Sequence, residues 1–370
     1  MKIELSNNNR TFLILIACFI SMGVFAQNIK DINHGWIKEE FIYEKASFPS
    51  CHASTIAETD KGLVAAWFGG THERHPDVAI WISRYISDAW TEPVEVANGI
   101  INKKLREPCW NPVLYQIPGG DLMLFYKIGP SPSEWKGWLK TSSDNGISWS
   151  EAKQLPEGFI GPVKNKPILL DNGNLICGSS TEGDGWRIHF EITPDFGKTW
   201  RKVGPISNAK TYNAIQPSIL THNDGSLQIL CRSKNAVIVE SWSKDNGETW
   251  SLLQASSLPN NNSGTDAVTL ADGRQLIVYN HVKTPQGAKK GYRTPLNVAI
   301  SEDGIDWYAA LVLEDSEISQ YSYPAVIQTK DGLVHIVYTW RREKIKHVVT
   351  DPDKIKLEDS YLIKNEQWPK

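Results

Sequence analysis

Beyond its N-terminus the sequence has no long apolar run, no basic cluster, no closely spaced cysteines and no sustained helical period. Each absence removes a class of protein. A membrane-spanning helix needs roughly 20 apolar residues, and nothing after Phe25 approaches that. Lys and Arg total 39 against 42 Asp and Glu, a net charge of −3. No stretch is basic enough for a nucleic-acid footprint or an anionic membrane surface. Cys51, Cys109, Cys177 and Cys231 lie far apart without C-x-x-C spacing, which argues against zinc and leaves them as small buried hydrophobes. His72 and His75 form His-x-x-His without a third ligand, so neither a metal nor another cofactor is expected.

The N-terminus carries Lys2 and Arg10, an apolar run from Phe12 to Phe25, and a small residue, Ala26, before Gln27. Residues 1–26 read as an export signal and 27–370 as a single mature domain, placed in the periplasm or outside the cell. Leu15-Ile16-Ala17-Cys18 offers an alternative, a lipoprotein anchored at Cys18.

What is abundant is tryptophan, 15 residues, and part of it is periodic. Ser243 to Trp250 (SKDNGETW) has near-copies at Ser142 to Trp149 and Thr193 to Trp200, a shorter one at Ser301 to Trp307, and an expected worn copy ending at Trp90. Each pairs a hydroxyl with an Asp two residues on, a Gly where a tight turn needs positive φ, and a Trp that can close over the turn. Alongside run six Asp/Gly turns with glycines Gly62, Gly120, Gly173, Gly225, Gly273 and Gly332, spaced 58, 53, 52, 48 and 59 apart. Each is followed by a strand-like apolar run, such as Leu122 to Tyr126. This spacing suits one four-stranded antiparallel sheet per repeat. The fold expected is all-β, a six-bladed β-propeller. The last blade lacks a repeat box, and Phe41-Ile42-Tyr43 is free to pair with Ile345 to Val349 and close the ring.

Seven to ten positions before each turn glycine stands a polar residue: His52, Asn111, Lys166, Gln216, Asp266 and Tyr323. Four precede proline, which suits a strand's first position. In a propeller these positions converge on one mouth, where a ligand can bind.

These boxes and this register resemble the sialidase (neuraminidase) superfamily over nearly the whole mature chain. The resemblance implies a glycan substrate and a carboxylate grip by arginines. Arg232, in Cys231-Arg232-Ser233, matches the family's second arginine, and Arg293, before the strand from Leu296, matches its third. Tyr323 matches the nucleophilic tyrosine. At the first arginine's position stands His52, and at the tyrosine-assisting glutamate stands Gln216, so the clamp is one arginine short and the tyrosine lacks its base. The family's general acid falls in the loop Gly69 to Asp77, where Asp77 and Glu73 both qualify. Lys166, Asn111 and Asp266 are expected to line the substrate.

The function expected is sialidase-like hydrolysis of a terminal, acidic sugar. Two alternatives remain: β-elimination from a uronate using His52 or Tyr323 to move the proton, or glycan binding without turnover. Trp110, Trp135 and Trp138 lie near loop ends, where sugar stacking and core packing explain them equally.

Overall fold

The computed structural model describes residues 34–364 and 368; the expected export signal and Cys18 lie outside the described residues. At the Asp/Gly turns Gly62, Gly173, Gly225, Gly273 and Gly332 take positive φ, the region a glycine enters without penalty. In the second turn the left-handed residue is Gly119, not Gly120. Each turn joins an inner strand to the next strand out, and the strands gather into six antiparallel blades.

The first blade is built on Ser50–Thr59, Gly62–Gly70 and Ala79–Ile86 with Val94–Ala97 outside. The second uses Cys109–Gln116, Leu122–Ile128, Lys136–Ser142 and Lys153–Gln154, and the third Ile168–Leu169, Leu175–Thr181, Arg187–Thr193 and Arg201–Val203. The fourth comprises Ala214–Thr221, Leu227–Ser233, Val237–Ser243 and Gln254–Pro259. The fifth comprises Asp266–Thr269, Gln275–Tyr279, Leu296–Ser301 and Tyr308–Glu314, with Tyr361–Leu362 added outside. The sixth takes Tyr321–Gln328, Val334–Trp340 and Lys344–Thr350, and is completed by Trp36–Phe41. The N-terminal strand closes the ring as expected, pairing Phe41 with Lys346, but most of it lies before Phe41.

The core lies between blades. Val64, Phe68 and Ile80 of the first blade pack on Leu114, Leu122 and Leu124 of the second. Cys51, Cys109, Cys177 and Cys231 are all buried free thiols. No helix among the described residues is long and apolar enough to cross a membrane.

The boxes staple the third strand to the fourth. In Ser243 to Trp250, Ser243 Oγ donates to Asp245 Oδ1 at 2.8 Å and accepts from Gly247 N at 2.9 Å. Asp245 also accepts from Thr249 N at 2.9 Å, and the Trp250 indole donates to Gly247 O at 3.0 Å. The turn before Trp90 is different. Ser87 and Asp88 both take positive φ between the paired Ile86 and Ala89, a two-residue hairpin rather than a worn box.

Inner strands of neighbouring blades splay apart, so their facing polar groups need side-chain partners. These form a belt around the axis. Leu114 N donates to Thr55 Oγ1, Lys127 Nζ to Pro162 O, and Asn165 Nδ2 to Gln216 O. Ala267 N donates to Ser218 Oγ, Val326 N to Asp266 Oδ2, and Ser54 Oγ to Tyr323 O, returning to the first blade.

Candidate functional site

Because first and second strands pair antiparallel, the start of every inner strand shares one end of the propeller with the turn after every second strand. The strand starts form a floor there and the turns a rim.

The floor is made by irregular backbone. Ala53, Asn111, Lys164, Gln216, Asn262 and Tyr323 all have positive φ. Register shifts follow at His52/Thr55, Ile215/Ser218 and Ser322/Ala325. Such a bulge re-aims one side chain, here toward the axis. Holding a bulky residue like Tyr323 left-handed costs on the order of 1–3 kcal/mol, which the surrounding packing must offset.

Tyr323 stands at the centre. Arg232 Nη1 donates to its phenol oxygen at 2.5 Å and to Gln216 Oε1 at 3.3 Å. Arg232 Nη2 donates to Asn262 O at 2.8 Å and Oδ1 at 2.9 Å, so Asn262 fixes the fork. Arg293 lies over the same ring, its Cζ 5.4 Å from the ring centre against 5.5 Å for Arg232. Its Nη1 donates to Gln320 Oε1 and Ser322 Oγ, both at 3.2 Å. Burial lowers the Arg293 pKa to about 10, against the pull of Tyr323. The His52 ring packs 4.1 Å from the Tyr323 ring centre, with Nδ1 3.0 Å from Thr339 Oγ1. Burial first, then Arg342, Arg293, Arg232 and Lys164, press its pKa well below the ordinary value, so His52 is neutral at pH 7.

Beneath the ring lies Lys164, wholly buried, which donates to Asn165 Oδ1 and Thr265 O at 2.7 Å and to Pro324 O at 2.5 Å. Burial draws its pKa down to about 7, yet three acceptors are each satisfied only by an N–H, which favours the ammonium form. Gly264 is packed close: a methyl there would meet Lys164 Cε at 3.1 Å, Gln216 Oε1 at 3.2 Å and Tyr323 Cδ2 at 3.3 Å.

A family model described as a BNR repeat-like domain matches residues 61–336, three quarters of the chain. The chain belongs to that family. A sialidase of Paraclostridium sordellii is 23% identical over 224 residues, covering 48% of this chain and 54% of that one, so the match spans about half the relative's length. Among solved structures, a protein of unknown function from Dyadobacter fermentans superposes with a TM-score of 0.69 at 16% identity, covering 85% of this chain and 98% of that one. The intramolecular trans-sialidase from Ruminococcus gnavus, in complex with oseltamivir carboxylate, superposes with 0.68 at 14% identity, covering 87% and 99%. At such identities what is shared is the six-bladed fold.

Within this BNR repeat-like propeller, His52 and Gln216 from the strand starts and Arg232 and Arg293 from the family resemblance gather around Tyr323. Asn111 is buried with them in its left-handed bend. Lys166 and Asp266 do not face the mouth. Lys166 Nζ bonds Asp266 Oδ2 at 3.0 Å and Ala267 O at 2.8 Å, and Asp266 also accepts from Ser218 Oγ and Val326 N. They tie blades together, and in the third blade the side chain under Tyr323 is Lys164.

The rim holds the carboxyls. Asp77 folds back over Gly70, accepting from Thr71 N at 2.9 Å and Thr71 Oγ1 at 2.6 Å, with His75 Nδ1 2.7 Å from its carboxylate. Despite some opposing burial, these bonds hold its pKa below the ordinary value. Glu73 accepts from Arg342 Nη1 at 2.5 Å, and Arg342, in the turn before Lys344–Thr350, was not singled out from sequence. Its positive charge is felt at His52 and at Arg293, whose pKa values it helps to lower. Glu182, also unforeseen, opens the turn after Leu175–Thr181 near Arg232, Lys234 and Glu73. Its burial raises its pKa despite Arg232 and Lys234. Lining up the ends of the second strands, as the starts of the first were lined up, brings Glu73, Glu182, Lys234 and Arg342 into one set. Trp110 and Trp135 are buried below the rim, their ring centres 5.9 Å apart. Trp138 lines a cavity of about 670 Å³ between the first and second blades, away from Tyr323.

Proposed function

We propose that this protein is an exo-acting glycoside hydrolase that removes a terminal acidic sugar from a glycan. What carries this reading is the pair of guanidiniums, Arg232 and Arg293, at 5.5 and 5.4 Å from the centre of one tyrosine ring in a polar mouth. Two such forks suit a sugar carboxylate. A sugar so held brings its anomeric carbon toward the Tyr323 oxygen, which acts as nucleophile or stabilises the positive charge developing there. Neutral His52 in place of a guanidinium, and Gln216 in place of a carboxylate, favour a sugar other than the common sialic acids. The apolar run from Phe12 to Phe25, followed by the small Ala26, supports export to where such glycans are met.

The same two residues favour a second reading, β-elimination from a uronate. There Arg232 and Arg293 stabilise the carboxylate as charge builds and Tyr323, against His52, takes the proton. One experiment separates the readings. Oligosaccharides ending in uronic or sialic acids are incubated with the protein and the products followed by chromatography and ultraviolet absorbance. Release of a saturated sugar acid, fastest from non-sialic termini, is expected. An absorbing unsaturated product establishes elimination instead. Binding without any product overturns both.

A further inference from the structure

We propose that the cavity between the first and second blades is a second carbohydrate site, taking neutral sugar units and separate from the mouth at Tyr323. The inference stands whatever chemistry occurs at Tyr323.

The cavity follows from short outer strands. The first blade ends in the four residues Val94–Ala97 and the second in the two residues Lys153–Gln154, so the strand Lys136–Ser142 is only partly covered. Side chains alternate along a strand, which puts Lys136, Trp138 and Lys140 on one face. That face meets the first blade, where Lys140 Nζ donates to Val96 O at 2.8 Å. Trp138 is flanked across the sheet by Tyr126 on one side and Gln154 on the other. The space left is about 670 Å³, within the roughly 300–1,000 Å³ range of small-molecule sites.

A second wall is a hairpin, Ile100–Asn102 paired with Leu105–Arg106. Its base is fixed. Glu107 N donates to Gly99 O at 2.9 Å, a methyl on Gly99 would collide with Glu107 O, and Arg106 Nη2 donates to Asp77 O at 2.9 Å. Ile100, Ile101 and Leu105 are nevertheless 59%, 47% and 45% exposed, and all three line the cavity. A cluster of exposed apolar side chains on an anchored hairpin marks a surface that a ligand covers.

The chemistry of the lining selects that ligand. A pyranose has a C–H face and a rim of hydroxyls that both donate and accept. Trp138 and the hairpin isoleucines supply apolar surface for the first. For the second, Glu107 accepts, Lys136 donates and Gln154 does both, and none of these three side chains has a partner among the described residues. An alkyl chain would desolvate them without replacing their hydrogen bonds to water. Three carboxyls, Glu95, Glu107 and Glu134, line the cavity against two ammoniums, Lys136 and Lys140, so no excess of positive charge is there to hold a carboxylate. The mouth is the reverse, with Arg232 and Arg293 over one ring. Neutral hexose units suit the cavity and acidic sugars the mouth.

The test measures binding of lactose, cellotriose and mannotriose to the full chain by titration calorimetry and saturation-transfer NMR, with glucuronic acid as the acidic probe and dodecanoate as the apolar one. At least one neutral sugar is expected to bind wild type, and to bind Trp138→Ala roughly tenfold or more weakly. The same sugar should bind Arg342→Ala and Tyr323→Phe, both altered at the mouth, as it binds wild type. Trp138 also packs on the core between the blades, so Lys136→Ala and Gln154→Ala, at exposed side chains, check the site without touching the fold. Each is expected to weaken binding roughly threefold or more with no change in urea midpoint. The assignment is overturned if no neutral sugar binds, if all three cavity variants bind as wild type does, or if the loss appears in the mouth variants instead. Tighter binding of dodecanoate or glucuronic acid, abolished by Trp138→Ala, would give the cavity to another class of ligand and overturn it too.

Discussion

Arg342 and Glu73 bind each other across the seam where the ring closes, Nη1 to Oε2 at 2.5 Å, one from the last blade and one from the first. Arg342 O also accepts from Cys51 N at 2.8 Å, which sets the arginine's backbone beside His52. Their side chains are 25% and 37% exposed, so as a staple the pair is worth no more than about 1 kcal/mol. On the proposed hydrolytic reading, a sugar carboxylate held by Arg232 and Arg293 would also meet the Arg342 charge. Arg342→Ala is expected to leave the urea midpoint within that small range and to raise KM roughly tenfold or more, the loss of one charge-assisted hydrogen bond. Unchanged KM would place the substrate carboxylate on Arg232 and Arg293 alone.

Tyr323 offers a sharper split. Removing its hydroxyl leaves the ring, and hence the packing of His52 at 4.1 Å and both guanidiniums, in place. Tyr323→Phe should fold with wild-type stability to within about 1 kcal/mol, since one hydrogen bond from Arg232 is lost. Its kcat should fall by roughly 100-fold or more with KM little changed. Full activity in this variant would remove the tyrosine from the chemistry.

Gly264 tests how tightly the floor is packed. A methyl at this position meets Lys164 at 3.1 Å, Gln216 at 3.2 Å and Tyr323 at 3.3 Å. Each distance is just inside ordinary contact, so the three side chains must shift by a few tenths of an ångström. Gly264→Ala is expected to cost about 1–3 kcal/mol of stability, as overpacking does, and to lower kcat because Tyr323 is among the displaced groups. A variant with wild-type kcat would mean that the floor yields freely.

The propeller was readable because its punctuation is local. Positive-φ glycines and the hydroxyl–Asp–Gly–Trp boxes follow from turn geometry, so their spacing counts blades without knowledge of contacts. Prolines marked where Asn111, Gln216 and Tyr323 begin their strands. The misplacement of Lys166 for Lys164 came from the same cue, because Pro167 follows Lys166 while the left-handed bend sits two residues earlier. The rim was hard to read for a different reason. Glu182 and Arg342 sit in turns of unequal length, where charge reads as solvated, and only the convergence of blades gives them a common mouth. Asn262 carries no cue in its sequence context to what it does. Its use is to hold Arg232, through a backbone oxygen no side-chain pattern reports.

Asp266 shows what the belt around the axis contributes. The carboxylate is 1% exposed and joins four blades through Lys166 Nζ, Ser218 Oγ, Ala267 N and Val326 N. Asp266→Ala leaves Ser218 Oγ and Val326 N without that acceptor, and leaves the Lys166 ammonium with Ala267 O but no counter-charge. The expected loss is about 3–5 kcal/mol, read as a lowered urea midpoint. A loss below about 1 kcal/mol would mean that water replaces the carboxylate and the blades hold without it.

A second buried cluster, away from the mouth, makes the fold sensitive to acid. His335 Nδ1 lies 2.9 Å from His347 Nε2, the rings stacked 5.2 Å apart, and His347 Nδ1 lies 3.1 Å from Glu40 Oε1. Burial, then the neighbouring His347, lowers the His335 pKa from 6.5 to about 4, with Lys38 acting in the same direction and Asp331 and Glu40 opposing. The unfolded chain therefore takes up this proton at higher pH than the folded one. Stability from this group is complete above about pH 6.5 and is lost progressively as pH falls toward 4, by at most about 3 kcal/mol. Urea midpoints measured from pH 7.5 to 4.5 should decline in wild type and decline less steeply in His335→Gln, which cannot take the proton. Equal slopes in the two proteins would assign the acid sensitivity to other buried groups, His52 and His347 first among them, and a flat wild-type profile would show that His335 is protonated without cost inside the sixth blade.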